Sequence, residues 1–215
     1  MVDMSYLAVI GDICGSREIP ERGELQIKLK EVLDELNLLH AKALASPFTI
    51  TLGDEFQAVL SKAIPLWEMI AMIQSRLFPV KVRFGVGLGR IDTPINDKVA
   101  LGMDGPAFHR ARDAVDVLKR EGGLYRVEGL AQGELANHSL ALVSHLQGQW
   151  QHNRFEVYRL HLAGHPVRGI AKATAISKSA VYKNIADGLL GTLAGIASAI
   201  STSLDDALVK ERHGN

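Results

Sequence analysis

The segment 48–60, FTITLGDEFQAVL, limits the fold of this chain more than any other stretch of its sequence. Two runs rich in β-branched and aromatic residues flank a Gly53-Asp54-Glu55 centre, a pattern that predicts a β-hairpin. A turn favours Gly or Asp for backbone reasons, but it does not require a second acid beside Asp54. Adjacent carboxylates repel unless solvent or a cation separates them. A lone Asp-Glu pair is most simply a solvated turn. A third acid, Asp12, makes a functional site the better interpretation.

The hydrophobic pattern predicts the elements around this hairpin. They are a strand at 6–11, a helix at 21–43, the hairpin strands at 48–52 and 56–60, a helix at 63–77, a strand at 80–91, a helix at 106–119, a strand at 124–127 and a helix at 132–149. The order of elements through residue 91 is the ferredoxin-like unit, in which the first two strands are parallel and the third lies antiparallel between them. The end of the first strand then meets the hairpin tip, so we expect Asp12, Asp54 and Glu55 to lie at one sheet edge.

Carboxylates held together at a sheet edge either share a proton or bind a hard cation such as Mg²⁺ or Mn²⁺. The Gly15-Ser16-Arg17 loop, which begins three residues after Asp12, offers backbone N–H groups and a guanidinium to a phosphate. Each feature also has a structural explanation, since a Gly-Ser pair makes turns and helical arginines are commonly solvated. The glycines 85, 87 and 89, on one face of the predicted strand 80–91, leave room either for a flat base or for a closely packed helix.

Three segments resemble nucleotide cyclases. LGDEF at 52–56 resembles the signature hairpin of diguanylate cyclases, with Leu52 where their first glycine stands. RFGVG at 83–87 and AFHRAR at 107–112 resemble the strand and the basic helix of those enzymes and of class III cyclases. The resemblance implies an α/β, ferredoxin-like palm with an antiparallel sheet, catalytic positions at Asp12 and Asp54, metal ligands at Asp12, Asp54 and Glu55, and Mg²⁺ or Mn²⁺ as cofactor.

A second resemblance covers most of the chain. GDICGSR at 11–17, TLGDEFQ at 51–57 and DGPAF at 104–108 are similar to the hallmark segments of the SatD family of bacterial proteins. Together the two resemblances imply contacts to a nucleotide or another phosphorylated ligand from Gly15, Ser16, Arg17, Asp104 and Arg112. The chain has no equivalent of the base-reading residues of the cyclases, nor of the asparagine that class III cyclases use on the transition state.

The composition becomes basic after residue 150, and the pattern there predicts three short helices at 155–162, 167–173 and 177–185 with helix-turn-helix spacing. Ser177 is the expected N-cap of the last of them. The residues expected to face DNA are Ser177, Lys178, Ser179, Tyr182 and Lys183. A three-helix lid on the sheet and a protein–protein module are the alternatives. The stretch 189–208 predicts a further helix, which either forms a dimer contact or packs on its own domain.

Composition limits the remaining possibilities. The 215 residues carry 24 basic and 24 acidic side chains, so no bulk charge indicates a nucleic-acid partner, and the single cysteine, Cys14, excludes an internal disulfide. The first four residues do not resemble a signal peptide, and the apolar window 188–204 is short for a membrane span, so we expect a cytoplasmic protein without a membrane contact.

The predicted organisation is a palm at 1–130, a linking helix at 131–150, an all-α helix-turn-helix domain at 151–190 and a C-terminal helix and tail at 191–215. The leading hypothesis is a homodimeric regulator that binds a nucleotide or phosphorylated ligand with its palm and DNA with its C-terminal domain. A nucleotidyl cyclase or transferase is one alternative, and a degenerate palm used for dimerisation is the other.

Overall fold

The computed structural model describes residues 4–213, so the first three residues of the predicted palm and the last two of the predicted tail lie outside the described part. The strands are β1 (Ser5–Ile13), β2 (Leu44–Ile50), β3 (Glu55–Leu60), β4 (Val82–Arg90) and β5 (Tyr125–Glu128). The helices are α1 (Arg22–Leu39), α2 (Leu66–Leu77), α3 (Pro106–Glu121), α4 (Gly133–Gln147), α5 (His152–Leu162), α6 (Val167–Thr174), α7 (Lys178–Asp187) and α8 (Leu190–His213).

The strands form one sheet in the order β2-β3-β1-β4-β5. The first four strands pair antiparallel, and β5 joins β4 in parallel. The chain is therefore an α/β protein, and the predicted ferredoxin-like palm with an antiparallel sheet is confirmed. The connection through α3 adds β5 as an edge strand. The backbone of β5 is partly covered by Asn137 of α4, whose side-chain amide bonds both the N–H and the carbonyl of Val127 at 2.8 and 2.9 Å.

Helices cover both faces of the sheet, because successive strand residues point to opposite sides. On β1, Leu7 and Val9 face the core shared with α1 and α2, whereas Ala8 and Ile10 face α3. The glycines of β4 also face α3, and a Cβ atom on Gly87 would lie 2.1 Å from the carbonyl oxygen of Ala107. Close helix packing, and not a base, therefore fills the bare face of β4.

The hairpin differs from its prediction by several residues. The strand β2 begins at Leu44, and Glu55 is the first residue of β3 rather than part of the tip. The hairpin closes with the Thr51 N–H donating to the Glu55 carbonyl at 2.8 Å, which leaves Leu52 in the turn and largely exposed. Glu55 belongs to the strand because its Cα pairs in register with that of Asp12.

The C-terminal helices fold back onto the palm. The Asp205 carboxylate of α8 accepts hydrogen bonds from the N–H groups of Ala63 and Ile64 at 2.6 and 3.2 Å, just before α2. The Ser201 hydroxyl donates to the Ala63 carbonyl at 3.1 Å. The inward side chains of α8, such as Leu204, are buried, so α8 packs on its own chain.

Within residues 4–213, no single helix has both the length and the apolar composition needed to cross a membrane. The pair formed by α7 and residues 190–209 of α8 meets these criteria only when its two helices, bent by 60°, are counted together.

Candidate functional site

Asp12 and Glu55 lie side by side where β1 ends and β3 begins, and together with Asp54 they form the acidic edge. They are Cα partners across β1 and β3, and each residue is only 7 % exposed. Both oxygens of the Asp12 carboxylate have a basic partner. Nη1 of Arg83 lies 3.0 Å from Oδ2, and Nζ of Lys119 lies 2.7 Å from Oδ1. Arg83 is the Cα partner of Asp12 on the other neighbouring strand, β4, so the sheet register itself forms this ion pair.

Glu55 forms a two-point ion pair with Arg112. Nη2 of Arg112 donates to Oε1 at 2.7 Å, and Nη1 donates to Oε2. The Thr51 hydroxyl adds a hydrogen bond to Oε1 at 3.2 Å. Burial by itself would raise the pKa of the Glu55 carboxyl, but the hydrogen bonds and charge of Arg112 outweigh it and hold that pKa below its usual range. Glu55 is therefore the ionised partner of a strong, two-point pair.

Asp54 contacts the loop that follows β1. The Ser16 hydroxyl donates to Oδ2 of Asp54, and the Asp54 carbonyl accepts from the Ile13 N–H at 3.0 Å. Gly15 has a φ of 64°, a left-handed conformation that suits glycine, and it turns the chain so that Ser16 points back to Asp54. Three of the predicted site residues, Asp12, Asp54 and Glu55, therefore do meet at one sheet edge.

Helix α3 brings the basic residues to this edge. Arg112 and Lys119 are seven residues apart, two helical turns, and so lie on the same face of α3. Because Gly85 and Gly87 let α3 lie directly on β4, both side chains start close to the carboxylates. They are 43 % and 44 % exposed, so solvent reaches both.

The carboxylates of Asp12 and Glu55 do not fit a divalent cation in this arrangement. All four carboxylate oxygens of Asp12 and Glu55 contact an arginine or lysine, whereas a metal ion needs oxygen lone pairs directed at it. Among residues 4–213, no three or more His, Cys, Asp or Glu side chains are grouped to hold a metal ion. Mg²⁺ or Mn²⁺ at Asp12, Asp54 and Glu55 stays a prediction of the sequence.

The other predicted phosphate contacts divide into two groups. Arg112 is at the acidic edge, and Gly15 and Arg17 flank the Ser16 that bonds Asp54. Asp104 is elsewhere. It lies before α3 beside the loop that follows Arg90, at the opposite end of β4, and its carboxylate is 2.8 Å from Nε2 of His109.

Arg83 and Lys119 belong to the acidic edge, although the sequence analysis does not predict them there. The alternation of β4 could have revealed Arg83, because it occupies the glycine-bearing face at the position nearest to the strand start. The spacing of seven residues from Arg112 could have revealed Lys119. Neither signal indicates a carboxylate partner without the register between β1 and β4.

A second surface of interest lies on α6 and α7. The two helices are joined by residues 175–177, with Ala175 at a φ of 55° and the Ser177 hydroxyl accepting from the Ala180 N–H at 3.1 Å. Ile170 and Val181 are both fully buried, and α5 contacts both helices while α8 contacts α7. The five residues predicted to face DNA are all exposed, namely Ser177, Lys178, Ser179, Tyr182 and Lys183.

Comparisons with known proteins give one family match and a distant structural similarity. The model of the SatD family matches residues 6–165, from β1 to the segment just before α6. Among solved structures, the chain is similar to a bacterial light-regulated adenylyl cyclase, with 13 % identity and a TM-score of 0.45 over 58 % of this chain. The chain spans 43 % of that cyclase structure. A comparison with curated proteins gives no match. Because the family match covers well over half of its length, this chain belongs to the SatD family.

Proposed function

We propose that this SatD-family protein is a DNA-binding regulator in which α6 and α7 form a helix-turn-helix. The observation that carries the proposal is the division of α7 into two faces. Val181 is buried against the neighbouring helices, whereas Lys178, Tyr182 and Lys183 face solvent. A recognition helix needs this arrangement, because its inner face must hold the domain together while its outer face enters the major groove.

Charge and capping support the same proposal. Lys178 and Lys183 on α7 and Arg168 and Lys172 on α6 are all exposed, so basic groups lie on both helices of the pair. Such groups bind DNA phosphates and release counterions. Ser177 satisfies an amide at the start of α7, where the N-terminal residues of a recognition helix contact base edges.

Fluorescence anisotropy of the full chain tests the DNA proposal. A labelled duplex pool is first enriched at low salt, and affinity is then measured for the selected duplex. Lys178→Ala/Lys183→Ala should weaken binding at least about tenfold, because two phosphate or base contacts are lost. Lys28→Ala/Lys42→Ala removes two exposed lysines from the palm and is the matched control. Equal affinities for the two double variants would contradict the proposal.

A second proposed function concerns the palm, which would bind a nucleotide or another phosphorylated small molecule at the acidic edge. The specific support is that Arg112 and Lys119 are about half exposed there and project from the same face of α3. A guanidinium fork and an ammonium group are suited to phosphate oxygens. The palm would then act as the sensing part, and DNA occupancy would be the output.

Thermal unfolding with inorganic triphosphate, ATP or GTP tests the palm proposal, with EDTA or Mg²⁺ in separate arms. A bound ligand should raise the melting temperature, and Arg112→Gln should abolish the rise. Asp104→Asn, at the opposite end of β4, should leave the rise unchanged if the acidic edge alone holds the ligand. No rise with any of the three compounds would count against the palm proposal.

Two further predictions of the sequence remain open to direct measurement. Chromatography after incubation with each nucleoside triphosphate and Mg²⁺ or Mn²⁺ would reveal a cyclase or transferase product. Light scattering at several protein concentrations would reveal a homodimer, which would place two α7 helices on one DNA site.

A further inference from the structure

The acidic edge carries its own cations. Asp12 and Glu55 supply two negative charges, and Arg83, Arg112 and Lys119 supply three positive charges in direct contact with them. The Asp54 carboxylate at the same edge accepts from the Ser16 hydroxyl, and a divalent cation at Asp12 and Glu55 would meet the three positive charges as well as the carboxylates. Coulombic repulsion at such short distances opposes its entry.

We infer that Lys119 and Arg112 take the place of divalent cations at this palm edge, and that a phosphate ligand binds there to protein cations without a metal ion. The replacement of the metal ion follows from the ion pairs alone, whereas the binding of a phosphate ligand rests on the palm proposal.

Position and packing support the inference. Nζ of Lys119 is 2.7 Å from Oδ1 of Asp12, so an ammonium group already occupies a cation position at that oxygen. Arg112 engages both oxygens of Glu55 and so blocks that carboxylate as a chelating ligand. The glycines of β4 let the α3 backbone lie directly against the sheet. Both basic side chains are therefore within reach of their acids.

The test is a titration of the full chain with Mn²⁺ alone, in which free Mn²⁺ is followed by electron paramagnetic resonance. The wild-type protein should show no saturable binding at millimolar Mn²⁺. Lys119→Met/Arg112→Met should bind Mn²⁺ at least about tenfold more tightly, because two carboxylates become available as ligands. Adding Asp12→Asn to that double variant should remove the new binding.

Arg120→Met is the matched control on α3, because Arg120 is exposed and pairs only with its sequence neighbour Glu121 among the ion pairs described for this helix. It should bind no more Mn²⁺ than the wild type. If the double variant unfolds, Lys119→Met alone repeats the comparison, since the Arg112–Glu55 pair still holds α3.

Two results would overturn the inference. One is saturable Mn²⁺ binding by the wild type that Asp12→Asn abolishes. The other is a folded Lys119 variant that gains no Mn²⁺ affinity. If only the palm proposal fails, the pattern is different. Phosphate compounds then do not raise the melting temperature in EDTA, whereas the Lys119 and Arg112 variants still gain Mn²⁺ affinity.

Discussion

Asp12 and Glu55 are Cα partners across β1 and β3, yet their carboxylates pair with basic residues from elsewhere in the fold, Asp12 with Arg83 and Lys119 and Glu55 with Arg112. The acids lie on β1 and β3, and their partners lie on β4 and α3. The charge balance of the edge therefore depends on the complete palm, including the α3 connection that follows the ferredoxin-like unit.

The Arg112–Glu55 pair should make the palm sensitive to acid. Because the pKa of Glu55 is lowered in the folded protein, its stabilising contribution is complete above the ordinary glutamate pKa of about 4.3 and is lost as the pH falls through the lower folded value. Urea unfolding between pH 7 and pH 3 should show Glu55→Gln well below wild type in stability at neutral pH, with the gap closing at the acidic end.

Glu31→Gln is the control for that series, because it removes the same charge from an exposed position on α1. A gap between Glu55→Gln and wild type that stays constant over the whole pH range would show that Glu55 contributes through packing and not through its charge.

Gly87→Ala should destabilise the palm by at least about 2 kcal/mol, because the new methyl group would overlap the α3 backbone. Its Cβ would lie 2.1 Å from the Ala107 carbonyl oxygen and 2.4 Å from the Ala111 nitrogen. Gly23→Ala is the control, since nothing lies within 4 Å of a Cβ at that position of α1. Alanine there should stabilise the chain by about 0.5–1 kcal/mol in chemical denaturation. Similar effects of the two changes would be inconsistent with direct contact between α3 and β4.

Ser177→Ala should lower stability by about 1 kcal/mol, because α7 loses the hydroxyl that accepts from the Ala180 N–H. Ser177→Asp keeps an N-cap acceptor and should retain stability, but its negative charge should weaken DNA binding. Thermal unfolding and anisotropy on the same two variants therefore separate capping from recognition. Equal DNA affinities for Ser177→Asp and wild type would remove Ser177 from the recognition surface.

Asp205→Ala should cost about 1–2 kcal/mol, because two N–H groups before α2 lose their carboxylate acceptor. Hydrogen exchange should speed up in the segment around Ala63 and along α8. Asp206→Ala changes the exposed neighbouring residue and should leave both measurements unaltered. If Asp206→Ala has the larger effect, α8 is anchored to the palm in a different way.

Local patterns were sufficient to predict the order of strands and helices and the meeting of Asp12 with the hairpin. Both follow from apolar periodicity and from the handedness of a crossover connection. The ion pairs could not be predicted in this way, because Arg83 and Lys119 reach Asp12 only through the register of β4 and the exact placement of α3. The sequence pattern predicts Glu55 in the turn because it does not show where hairpin bonding begins, and the Thr51–Glu55 bond places Glu55 in β3.

Packing decides between the two alternatives for the glycines of β4 and shows that α8 packs on its own chain, while a dimer contact stays a prediction. Gly87 contacts α3, and α8 contacts the palm through Asp205. DNA binding by Lys178 and nucleotide binding by Arg112 are properties of complexes. They depend on partner molecules, which contacts within the chain do not identify.

The salt dependence of DNA binding tests the regulator proposal most directly. The logarithm of the dissociation constant is measured against the logarithm of the salt concentration for wild type and for Lys178→Ala/Lys183→Ala. The proposal predicts a steep wild-type dependence and a slope smaller by about 1.8 in the double variant, which corresponds to two lost phosphate contacts. Identical slopes, or no wild-type binding to any enriched duplex at low salt, would contradict it.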